Sequence, residues 1–162
     1  MSDLGSSLGL QRGAAKGLRI AIVTAAFNAV YTRRLLASAK SRLLALGLEP
    51  GRLQELWVPG ALELPLAAQA LAHSGRFDAV ITLGCVIRGD TSHYDLVCEG
   101  AAQGVVQAGL NTGVPVLFGV ITCENKAQAL ARCNGGAKDS GKHAAEGAVS
   151  MARLLRTLKK GK

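Results

Sequence analysis

The sequence predicts an α/β protein built as a three-layer α/β/α sandwich, with a four-stranded parallel sheet flanked by helices. Three observations carry that reading. Short, β-branched apolar runs alternate along the chain with amphipathic stretches of roughly ten to twenty residues. One of those runs is apolar nearly throughout, which is how a strand covered on both faces reads. The length of 162 residues suits one domain of ordinary size. Apolar residues make up 49% of the chain and charged residues 19%, with no apolar run long enough to span a bilayer, so disorder and a membrane-spanning helix are both excluded.

Residues 1–17 lack a basic segment followed by an unbroken apolar stretch, so they read as a flexible N-terminal arm and not a secretory signal. A cytoplasmic location follows, and residues 18–162 form the single domain. Residues 18–27 (LRIAIVTAAF) are of strand length and composition. In the following AVYTRRLLASAKSRLLALGL, leucines recur at helical intervals until Gly47 and Pro50-Gly51 close the helix. RLQELWV (52–58) alternates as a second strand. ELPLAAQALAHSG gives a second helix, with Pro65 in its first turn, where a missing N–H does no harm, and Gly75 past its end. FDAVITLGCVI (77–87) is the fully apolar third strand. SHYDLVCEGAAQGVVQAGL is helical, VPVLFGVIT (114–122) is a fourth strand, and 124–133 and 143–160 are helices joined by a glycine-rich polar turn. Right-handed crossovers between such units yield a flavodoxin-like sheet with helices on both faces.

Nineteen basic against eleven acidic residues give a formal charge of +8, which raises the question of nucleic acid. The distribution argues against it. Arg153, Arg156, Lys159, Lys160 and Lys162 crowd the last ten positions, the middle is mixed, and 4% aromatic residues supply no base-stacking surface. Cys85, Cys98, Cys123 and Cys133 form no C-x-x-C pair and read as reduced thiols. Cys85 with His93, or Cys133 with His143, lacks the spacing of a zinc site, so no metal is expected.

Ligands of an open parallel sheet bind beyond the carboxyl ends of its strands. The residues there are Ala26, Phe27 and Asn28 after the first strand, Pro59 to Glu63 after the second, Arg88 to His93 after the third, and Phe118, taken to lie late in the fourth. Gly89 lets the backbone approach a ligand, and Asp90, Thr91 and Ser92 precede a helix whose free N–H groups would suit a phosphate. A capped helix with nothing bound would read the same way. His93, in the first turn, has the chemistry of a proton carrier or of a surface histidine. Glu63 is explained by either ligand binding or the helix dipole, Phe27 by stacking or core packing, and Arg132 by itself reads as a solvated helix face. The stretch 135–141 matches neither glycine-rich nucleotide fingerprint.

The segments AFN (26–28), VPGALELP (58–65), LGCVIRGDTSHYDLVCEGAAQG (83–104), PVLFGVIT (115–122) and ENKAQALAR ending at Arg132 resemble, in order and spacing, the lumazine synthase family of riboflavin biosynthesis. The resemblance covers residues 18 to 158. It implies condensation of 5-amino-6-ribitylamino-pyrimidinedione with 3,4-dihydroxy-2-butanone 4-phosphate to 6,7-dimethyl-8-ribityllumazine, phosphate and water, without a cofactor. By the same resemblance Phe27 and Asn28 meet the pyrimidine, Ala61, Leu62 and Glu63 line the ribityl chain, and Cys85, Val86 and Ile87 meet the ring edge. Gly89, Asp90 and Thr91 cradle the phosphate and His93 shuttles protons. Phe118 and Arg132 come from a neighbouring subunit. The family's lysine-glycine-acid turn after the arginine is matched here by Ser140, Gly141 and His143, a departure from its pattern. Homo-oligomers are implied, as pentamers or 60-subunit shells, with a riboflavin synthase as a candidate partner. The alternative reading is a catalytically weak relative serving as a shell or flavin carrier.

Overall fold

The first β-branched run forms the strand on which the others assemble. In the computed structural model, which describes residues 8–161, β1 (Ile20–Ala25) is buried at all six positions. It is paired on one side with β2 (Leu53–Val58) and on the other with β3 (Ala79–Ile87). β4 (Val116–Cys123) adds to β3, giving a parallel sheet of order β2-β1-β3-β4. This is the three-layer, flavodoxin-like arrangement that the strand–helix alternation predicts.

Alternation along each strand divides the core. Ile20, Ile22, Ile81, Leu83 and Ile121 meet α1 (Ala29–Ala45) and α5 (Ser140–Lys160), with α4 (Lys126–Ala131) beside them. Ala21, Val23, Val80 and Val120 meet α2 (Leu64–His73) on the opposite face, where α3 (His93–Thr112) also packs. Each valine, leucine or isoleucine buried there gains about 1.5–3 kcal/mol from leaving water. The helices are punctuated as the sequence reading has it, with proline in the first turn of α2 and Gly75 in the left-handed region after it.

Two expectations are corrected. Residues 1–7 of the arm lie outside the described residues, but the part that is described is docked. Gly13 and Ala15 donate to the Leu46 carbonyl at 3.0 and 2.9 Å, and Ala15 is fully buried. Small residues let this segment lie flat against the end of α1: a Cβ on Gly47 would come within 2.9 Å of the Gly13 Cα. The last helix begins at Ser140, three residues before the sequence reading starts it. Asp139 is its buried cap, accepting from Lys142 N at 3.0 Å and Gly135 N at 2.7 Å.

The C-terminal basic cluster is partly absorbed by the fold. Arg156 grips Asp78 with two bonds of 2.8 and 2.9 Å and also donates to the Gly17 carbonyl, closing α5 onto the arm. Deeper in α5, Glu146 is fully buried and accepts from Arg42 Nε at 2.7 Å, pinning α5 to α1. One turn and a half earlier, Gly141 lies so close to Leu35 that an added Cβ would collide with its carbonyl oxygen.

Candidate active site

The chain leaves β1 for β2 on one side and reaches β3 on the other, so a crevice opens where the carboxyl ends of β1 and β3 separate. It is a cleft of about 430 Å³. Its wall from β1 is Ala25 and Phe27. The ladder runs on past the strand, with Ala26 N bonded to the Val58 carbonyl at 2.8 Å and Phe27 N to that of Pro59 at 3.0 Å. Phe27 is thereby held by its backbone while its ring stays 71% exposed, which decides between the two uses left open above. The ring lines the cleft and is not core.

Asn28 does not line the cleft. It sits in the left-handed region at φ 58°, a conformation asparagine tolerates, and its Nδ2 donates to the Cys85 carbonyl at 2.9 Å. It ties the end of β1 to β3. Across the cleft, Gly60 and the short 3₁₀ turn Ala61–Glu63 supply a second wall, with Leu62 half-exposed and the Glu63 carboxylate at the opening. Cys85, Val86 and Ile87 form the floor. Burial pushes the Cys85 thiol up to about 12, with Cys123 and Cys133 adding to it, so this sulfur meets a ligand as a neutral thiol and not as a nucleophile.

The loop after β3 supplies polar chemistry. Gly89 and Thr91 line the cleft, and among the described residues the N–H groups of Gly89, Asp90 and Thr91 donate to no protein acceptor. Open N–H groups in such a row, just ahead of a helix, have the chemistry to take an anion. Asp90 is exposed and off the lining. Thr91, not Ser92, turns its hydroxyl to the helix, accepting from His93 N at 3.3 Å. His93 faces the cleft from the first turn of α3, exposed, with Tyr94 and Val97 next to it. Sequence reading passed over both neighbours, although Val97 stands four residues on from His93 and so on the same helical face.

Arg88 follows directly on β3 but is off the lining. Its Nε donates to Glu124 at 2.8 Å, its two terminal nitrogens to Asp95 at 3.1 and 3.2 Å, and its guanidinium covers the Tyr94 ring at 4.1 Å. Its hydrogen bonds to these carboxylates raise its pKa further above an already high value. Among the described residues, consequently, no lysine or arginine lines the cleft.

Two predicted residues fall elsewhere. Phe118 lies in the first half of β4, opposite Thr82, whereas the cleft opens at the level of Cys85 and Ile121. Three residues of strand put it about 10 Å too low; an apolar run does not reveal its register. It is 39% exposed on an edge strand. Arg132 closes the short α4, exposed, and is likewise off the lining. Among the described residues no group of three His, Cys, Asp or Glu side chains is placed to hold a metal, and no helix is long and apolar enough to cross a membrane. A family model described as 6,7-dimethyl-8-ribityllumazine synthase matches residues 17–156.

Proposed function

The chain belongs to the 6,7-dimethyl-8-ribityllumazine synthase family of riboflavin biosynthesis, and we propose that it is a cytoplasmic transferase condensing 5-amino-6-ribitylamino-pyrimidinedione with 3,4-dihydroxy-2-butanone 4-phosphate. The observation that carries this reading is the open N–H row of residues 89–91 beside His93, at the end of a cleft with an exposed aromatic wall. The pyrimidine stacks on Phe27. Glu63 accepts hydroxyls of the ribityl chain along Ala61 and Leu62, and the ring edge meets Cys85, Val86 and Ile87. The phosphate sits on the N–H groups of Gly89, Asp90 and Thr91.

The substrate amine is itself the nucleophile, so the protein needs no lysine. It attacks the ketone, and loss of water gives an imine. A proton then leaves the neighbouring carbon as inorganic phosphate departs, and the ribityl-bearing nitrogen closes the ring with loss of a second water. His93 carries the protons; holding two reactive partners together does much of the rest. No cofactor enters this scheme.

A phosphate dianion in a cleft without its own cation is under-compensated. Arg88 is engaged, so the cation must come from outside the chain, and the exposed Arg132 of a neighbouring copy fits the need with a forked, always charged donor. Apolar Leu66, Leu96, Val106 and Leu110 lie exposed on the α2 and α3 side, as on a face covered by another subunit. We therefore read the working unit as a homo-oligomer, a pentamer within which Phe118 and Arg132 complete the next site. A 60-subunit shell and a riboflavin synthase partner are extensions of the same reading.

The test is to mix the protein with both substrates and follow lumazine fluorescence above the uncatalysed background. Catalysed product is expected; folded protein with no acceleration would move the shell or carrier reading ahead. Arg132→Ala is expected to raise KM for the butanone phosphate about tenfold or more, because a charge-assisted bond contributes about 1.5–3 kcal/mol, and to leave KM for the pyrimidine near its original value. Reassembling Arg132→Ala subunits with His93→Ala subunits should recover activity in about a quarter of the sites, those where an intact His93 meets an intact Arg132. No recovery would place both residues in one chain's site.

A further inference from the structure

The loop that presents the N–H row poses a mechanical problem. Residues 89–91 make no backbone bond to the protein that would fix them, since those donors are the ones left open for a ligand. Whatever holds the loop must therefore act from its two ends. At one end Arg88 N donates to the Cys123 carbonyl at 2.9 Å, the last rung between β3 and β4. At the other end α3 begins at His93.

The Arg88 side chain joins these ends. It reaches across the loop to Asp95 with two bonds, so residues 88 and 95 bracket the N–H row and His93 together. Its Nε is held by Glu124, whose own N–H is fixed by Gln128 Oε1 at 2.8 Å at the start of α4. The guanidinium plane lies on Tyr94, which lines the cleft beside His93. The Arg88 side chain thus ties the end of β3 to the first turn of α3 and to Glu124 between β4 and α4.

We propose that Arg88 is a positioning residue, a clamp with Asp95, Glu124 and Tyr94 that holds the anion cradle and His93 in register with the strand ends, and that it is not a phosphate ligand. Proximity to the cradle suggests the opposite role, but each of its three nitrogens already donates to a carboxylate. The kinetic part rests on the proposed function; the exchange part does not.

The experiment compares Arg88→Gln, Asp95→Asn, Glu124→Gln, the double variant Arg88→Gln/Asp95→Asn, and Arg88→Lys in the full chain. A clamp predicts that Arg88→Gln lowers kcat about tenfold or more, the scale expected when a catalytic group is misplaced by a fraction of an ångström to an ångström, with KM for the butanone phosphate within about twofold. Asp95→Asn should reproduce most of that loss, the double variant should be no worse than the poorer single one, and Arg88→Lys should recover part of it. Amide hydrogen exchange of residues 89–95 should quicken about tenfold in Arg88→Gln while the β1 amides stay protected. A raised KM with kcat intact, losses that multiply in the double variant, or unchanged exchange would each overturn the clamp. If the unaltered protein shows no turnover, the exchange comparison still decides, and if Arg88→Gln fails to fold, Asp95→Asn and Glu124→Gln carry both readouts.

Discussion

His93→Ala is expected to lower kcat about a hundredfold or more while leaving the fold and the assembly intact. His93 is exposed at the cleft, so removing its ring opens no core cavity. The groups beside it on β3 and α3 offer no ready substitute: Cys85 is held as a neutral thiol with its pKa pushed up to about 12, Tyr94 is raised by burial, and Arg88 sits between two carboxylates, which leaves the Glu63 carboxylate on the opposite wall. A positioned acid–base group contributes roughly 10²–10⁴ in rate, so the residual reaction should be what stacking and the N–H row provide by holding the partners together. The vacated space should admit added imidazole, and recovery of rate with imidazole concentration would mark proton transfer as the missing function. Equal rates for the altered and original proteins would remove His93 from the mechanism. Glu63→Gln supplies the contrast, since it should weaken binding of the pyrimidine through its ribityl hydroxyls more than it slows turnover.

Much of that site could be read from the chain alone because its parts follow strands. Period and punctuation fix where β1, β2 and β3 end, and parallel strands place those ends together, so Phe27, Ala61 to Glu63, Cys85 to Ile87, Gly89, Thr91 and His93 fall into one cleft. Identity at each position was harder where one residue type serves two purposes. Phe27 could stack or pack, and only the continued ladder to Val58 and Pro59 shows the ring kept out of the core. Asn28 reads as a ligand contact but its left-handed backbone turns its amide to Cys85. Register and long-range pairing leave no local trace. VPVLFGVIT is as apolar at its start as at its end, so Phe118 was set too far along. Arg88 and Glu124 are far apart in sequence and meet only because β4 pairs with β3. The arm lacks any hydrophobic period and so reads as loose, yet Ala15 is a core residue, buried by a backbone that small side chains bring close.

Gly141→Ala is expected to destabilise the protein by about 3 kcal/mol, a fall in Tm of roughly 6–12 °C at fixed protein concentration. Intrinsic propensity argues the other way, since alanine is better than glycine in a helix by up to about 1 kcal/mol. Sterics win at this position. The new Cβ would strike the carbonyl oxygen of Leu35, a backbone atom of a fully buried residue in the middle of α1, which no rotamer change can relieve. Nor can the helices simply part. Further along the same contact, the buried Glu146 holds Arg42 at 2.7 Å, and tilting α5 outward would strain that bond and leave a buried carboxylate without its cation. The start of α5 is also tied to the preceding turn, with Ser140 N donating to the Arg132 carbonyl at 2.9 Å. A shift at Gly141 therefore moves Arg132, and KM for the butanone phosphate should rise in the same variant. Gly147→Ala on the same helix is the comparison: its Cβ meets only the Leu117 Cδ1 at 3.1 Å, the free end of a side chain that can rotate away. Melting of Gly141→Ala at or above the original temperature would show that α1 and α5 can separate there, and the close approach would lose its role in setting the turn that carries Arg132.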